Sequence, residues 1–158
     1  MENKQPNYPA MLQVINIIHG ALLFFPLVFA GVAVYINETS PMASDDLSFL
    51  SYASIGLLIV AFPVSAILFK STVKNSQIEQ KSLPQKIATF QTAHLIRMAM
   101  FESAGLFAAV ATLQTGNYYN LGVLLIVLIM FFFLRPTPAK IAMDLGLSTD
   151  EKQQLANS

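Results

Sequence analysis

The sequence predicts an all-α integral membrane protein: four transmembrane helices, arranged as two antiparallel hairpins, with both termini in the cytoplasm. Three observations lead there. First, of 158 residues 54% are hydrophobic and only 11% charged, where a soluble domain carries about 25% charge. Second, the apolar residues fall in long blocks, each able to cross a hydrocarbon layer about 30 Å thick. Third, charge and tyrosine positions agree on one orientation. Outside the apolar blocks, every Lys and Arg lies in the N-terminal head, in 70–82 and the start of the third helix, or in the C-terminal tail. The other two loops hold only Glu38, Asp45 and Asp46. The positive-inside rule puts the basic segments in the cytoplasm. Tyr8 then falls at one interface, and Tyr35, Tyr52, Tyr118 and Tyr119 at the other, as an aromatic belt requires.

The elements follow in order. A polar head leads into a helix over 9–36, with Pro9 in the first turn, where its missing N–H costs nothing. Pro26 inside it removes a backbone donor and predicts a kink. Residues 37–44 are turn-rich, and Asn37-Glu38-Thr39 forms a glycosylation sequon. Ser44 caps a second helix over 44–69, with Asp45 and Asp46 at its positive end and Pro63 in its interior. Ser82 and Gln85 form a capping box for a third helix over 83–114. This helix is longer than the bilayer core, so its first two or three turns are expected to project into the cytoplasm. Thr115-Gly116-Asn117 is a tight turn into a short, almost wholly apolar fourth helix over 118–134, which Arg135-Pro136 ends. The first domain is thus 1–134. In the tail, 135–158, Thr137-Pro138 and Ser148-Thr149-Asp150-Glu151 read as caps of two short helices. Ile141 and Leu145 give the first of these an apolar face for the membrane or a partner. A shift of 78 aligns Phe29-Ala30-Gly31-Val32-Ala33 with Phe107-Ala108-Ala109-Val110-Ala111, consistent with a parallel repeat or with chance in apolar sequence.

The polar interruption in the third helix carries the candidate site. At about 100° per residue, Gln91, His94, Arg97, Met98 and Glu102 share one arc of a helical wheel. Polar groups inside a membrane are costly and face a bundle interior, a cavity or another subunit. Glu102 is the deepest charge. It lies five residues from Arg97, a poor same-face pair, so it either finds another partner or carries a proton. His19 is its expected companion, with Asn16 one turn earlier. The set His19, Asn16, Arg97 and Glu102 reads as a packing network, as a proton or cation site, or as a contact with another subunit or a lipid headgroup, for which Arg97 suits best. Ala104, Gly105, Ala108 and Ala109 form a small-residue surface for close helix packing.

Several functions have no support in the sequence. Without cysteine there is no thiolate chemistry and no disulfide. There is no serine–histidine–acid set at one depth, no HExxH, no phosphate-cradling glycine loop and no acidic metal cluster, so neither an enzyme nor a metal or other cofactor is expected. Haem ligation by His19 and His94 is disfavoured because their expected depths differ by several residues. Net charge is zero and no basic stripe implies nucleic acid. A pair of hairpins with one buried acid among small residues is similar to the rotor proteolipids of ion-driven ATPases. However, Glu102 lies on the first helix of its hairpin, 70–82 lacks an Arg-Gln-Pro turn, and the fourth helix has no acid, so that family is not assigned. The expected function is a non-enzymatic subunit or scaffold of a larger membrane complex, associating with the bilayer and with other subunits or further copies of itself. The alternative is a small proton- or cation-coupled transporter or channel using Glu102. If the source is bacterial, the expected location is the inner (plasma) membrane.

Overall fold

A computed structural model describes residues 8–40, 48–78 and 81–156. These contain six helices and no strand: α1 (Tyr8–Thr39), α2 (Phe49–Ile78), α3 (Leu83–Thr115), α4 (Asn120–Leu134), α5 (Pro138–Asp144) and α6 (Thr149–Ala156). Three of them, α1, α2 and α3, are long and apolar enough to cross a membrane. The count is four if α4 and α5, bent by 86°, form one broken span. Large apolar side chains cover their outer surfaces: Phe24, Phe25, Ile59, Ile67, Phe132 and Phe133 are all more than half exposed. Such continuous exposed apolar surface fits lipid and not water.

The helix ends shift from those expected. Helix α2 continues nine residues past 69, through a polar stretch read as loop. The Ser44 cap, with Asp45 and Asp46, lies outside the described residues. At the start of α3 the Ser82 N–H donates to Gln85 Oε1 at 3.1 Å, and Gly116, at φ 64°, closes its end in the left-handed region glycine favours.

Helix α3 is the centre of the bundle. It packs against α1, α2 and α4, whereas α1 and α2 barely touch each other among the described residues. Contacts across α1 and α3 keep one offset: His19 meets His94 and, eighteen residues on, Asn37 meets Thr112, both pairs 75 positions apart. The two helices therefore run in the same direction. Phe69 lies against Phe90 and Phe62 against Phe101, so α2 runs against α3. Gly105 sits where three helices converge: a Cβ there would lie 3.3 Å from Leu124 Cδ1 and Val127 Cγ1 and 3.5 Å from Pro26 Cβ. Ala104, Ala108 and Ala109 are fully buried around it. Small side chains let the backbones approach, and dispersion contacts then hold them together.

The tail forms part of the core. Ile141 and Leu145, expected to meet membrane or partner, are buried with Leu147 and Leu155 against Phe69, Val73, Ile87 and Phe90. Two local motifs turn the chain to allow this. Leu147 N donates to the Ala142 carbonyl and Gly146 N to that of Met143, with Gly146 at φ 59°, closing α5 as a Schellman turn. Ser148 and Glu151 then cap α6 reciprocally, at 2.9 and 3.3 Å. Glu151 also bonds Lys86 at 2.7 Å, tying α6 to the first turn of α3.

Candidate functional site

The core of the bundle holds a pair of buried histidines. His19 Nδ1 lies 3.2 Å from His94 Nε2, and His19 Nε2 lies 3.1 Å from the Phe131 carbonyl oxygen. A carbonyl only accepts, so His19 Nε2 carries a hydrogen. In a neutral ring its Nδ1 then accepts, and His94 Nε2–H is the donor. The result is a directed chain from α3 through α1 to α4. The rings stack at 5.4 Å, and Phe90 also stacks on His94 at 5.7 Å.

The Phe131 carbonyl is available because of how α4 ends. The last carbonyls of a helix lack intrahelical donors. Here Arg135 N goes to the Phe132 carbonyl, Pro136 has no N–H, and Lys140 Nζ reaches the Phe133 carbonyl at 2.8 Å. His19 supplies the donor that Phe131 lacks. Leaving that carbonyl bare in an apolar interior would cost several kcal/mol by the general rule for lipid, roughly.

The expected partnership of His19 with Glu102 is not formed. His19 and His94 lie eleven residues beyond Tyr8 and Leu83, the first residues of their helices. The two helices start level, so the histidines meet, and the expected difference in their depths is absent. Glu102 is eight residues, about 12 Å, further along α3. It is half-buried, with no hydrogen bond or ion pair among the described residues. Asn16 bonds the Leu12 carbonyl of its own helix at 3.0 Å and joins no network.

The polar arc of α3 thus splits in three. His94 and Met98 are in the core. Gln91 lies on the α1 side, where it, His19, His94 and Met98 line a cavity of about 10 Å³, the size of one water. Arg97 is on the opposite flank, its Cζ 5.1 Å from the centre of the Phe69 ring. Among the described residues no three His, Asp or Glu side chains converge on a metal position.

A second polar level, missed in the sequence, lies at the other end of the bundle. Asn37 Nδ2 donates to the Thr112 carbonyl at 2.8 Å, and Ser54 Oγ to Asn120 Oδ1 at 3.4 Å. Asn37 is 8% exposed, so the sequon nitrogen is engaged in helix packing and closed to a glycan. The signal was present: a lone Asn at the end of one apolar helix and an Asn opening another.

Fold and site together define an all-helical protein with three to four helices able to cross a membrane, joined through a buried histidine pair. No protein-family model, curated protein or solved structure matches the chain.

Proposed function

We propose that the protein is a non-enzymatic subunit of a larger membrane assembly, meeting its neighbour through the α3 edge that carries Glu102. The observation behind this is that Glu102 is half-buried and unpartnered among the described residues, midway along an apolar helix. A carboxyl group at that depth is costly unless something answers it. The inner face of α3 is already filled by α1, α2 and α4, so the answering group comes from outside the chain: another subunit or a second copy. In this reading α1, α2, α3 and the shorter α4 all cross the bilayer as two hairpins, with both termini in the cytoplasm. The direction of α3 relative to α1 and α2 supports that arrangement, as does the absence of Lys and Arg near Glu38 and Tyr118. In a bacterium the site of assembly is the inner membrane.

The test is Glu102→Leu, a change that suits lipid and leaves the monomer's core untouched. After mild detergent extraction from the native membrane, wild type should run in a larger complex and the variant as a smaller species with an unchanged melting temperature. An unchanged complex would remove the basis of the reading. The second reading, a proton- or cation-coupled transporter, draws on the cavity beside His94 and Gln91, the latter on the same edge of α3 as Glu102. Liposome flux abolished by Glu102→Gln would establish it in place of the first.

A further inference from the structure

A cleft of about 420 Å³ opens between α2, α3 and α5, lined by Phe69, Lys70, Lys74, Gln77, Arg97 and Asp144 among others. Three cations thus share it with one carboxylate. Arg97 Nε is buried there without a hydrogen-bond partner. The guanidinium lies over the Phe69 ring, which holds it in place and leaves its donor fork to be matched from outside the side chain's own helix. Asp144 does not supply the match: it is not within ion-pair distance of Arg97, and it is its backbone carbonyl that accepts from Gln77 Nε2, at 3.3 Å. Lys70 and Lys74 are one turn apart on α2, exposed, and without an ion-pair partner among the described residues. Like charges at that spacing repel. An anion in the cleft would relieve the repulsion and satisfy the buried N–H together.

We propose that this cleft is a phosphate site, in which Arg97 provides the fork and Lys70 and Lys74 the surrounding positive charge. Planar, multiply hydrogen-bonded recognition of phosphate is what arginine does best, with lysines as point charges beside it. A phospholipid headgroup and free phosphate share this chemistry. The surroundings suit the headgroup. One turn below Lys70, Ile67 is an exposed apolar side chain on which an acyl chain can lie, while Lys74 and Gln77 are on the polar side. The proposal is independent of what Glu102 meets.

The full-length protein in neutral detergent, probed by native mass spectrometry, tests it with three probes: dioleoyl-phosphatidylglycerol, dioleoylglycerol and inorganic phosphate. Phosphatidylglycerol should bind wild type and dioleoylglycerol should not. Arg97→Gln and the double variant Lys70→Gln/Lys74→Gln should each weaken binding about tenfold or more, the effect of one lost charge-assisted contact. Asp144→Asn should tighten it. Phosphate binding as well as the lipid, and weakened by the same variants, identifies the free anion as ligand and upholds the site. Binding unchanged in the lysine double variant, whose side chains are exposed and whose fold a thermal melt verifies, overturns it. Equal binding of dioleoylglycerol overturns it too.

Discussion

His94 reaches α4 only through His19: its Nε2 is 3.2 Å from His19 Nδ1, and the other nitrogen of His19 serves the Phe131 carbonyl at 3.1 Å. The two histidines are therefore unequal in consequence. His19→Leu orphans both a carbonyl and an N–H and should cost about 2–4 kcal/mol. His94→Leu orphans one ring nitrogen, keeps the bond to Phe131, and should cost about 1–2 kcal/mol. Unfolding of both variants in the same detergent would measure the difference. Equal losses would contradict the order of the chain.

Glycine matters at one helical position and not at others. Gly105→Ala places a methyl 3.3 Å from two side chains, and should change stability by less than about 1 kcal/mol because Leu124 and Val127 have room to yield a few tenths of an ångström. Gly105→Leu should cost about 1–3 kcal/mol or more by forcing α4 away from α3. Gly31 and Gly122 have nothing within 4 Å of a built Cβ. Ala there should be neutral or stabilising by up to about 1 kcal/mol. Melting temperatures of the four variants decide this.

Docking of the tail should weaken in acid. The Lys86 hydrogen bond, helped by the Ser148 N–H, holds the Glu151 carboxyl below its ordinary value of 4.5. The folded value is the lower one. The stabilisation is therefore complete above the unfolded value and is lost as pH falls through the folded value. Part of the pair is solvated, so the effect is at most about 1 kcal/mol. A Leu155→Cys reporter, buried in wild type, should react faster with a pyridyl disulfide as pH drops below about 4. In a Glu151→Gln background the rate should be higher at pH 7 and less dependent on pH. A pH response that survives Glu151→Gln would assign it to another group.

The proposed orientation has its own test, which the absence of cysteine makes clean. Tyr119→Cys, at an 88% exposed position, should label with an impermeant maleimide from outside the cell. Lys152→Cys should label only after the membrane is opened. The reverse pattern would invert the topology.

The helices were legible in the sequence because apolar length, prolines, glycines and caps are local signals, and Gly116, Thr137 and Ser148 act where they were expected to. The histidine pair was not legible, for one physical reason. Helix α3 was expected to project past α1 into the cytoplasm, which placed His94 too shallow and matched His19 with Glu102. In fact α2 extends, the tail folds back, and the first turns of α3 are enclosed by them, so α1 and α3 begin at one level. Nor does the sequence show that the Phe131 carbonyl needs a donor, although Arg135-Pro136 is its cause. The tail's apolar face was visible, but its occupant was not, since nothing local distinguishes a face that meets lipid from one that folds onto its own chain.

Helices α1 and α2, both made before α3, have almost no surface in common among the described residues. Neither completes the other, and the residues that give each a place belong to a segment synthesised later. Order of synthesis is therefore not order of assembly: α1 and α2 wait, side by side or apart, until α3 arrives between them. A chain cut before Leu83 should yield two helices in a membrane and no fold.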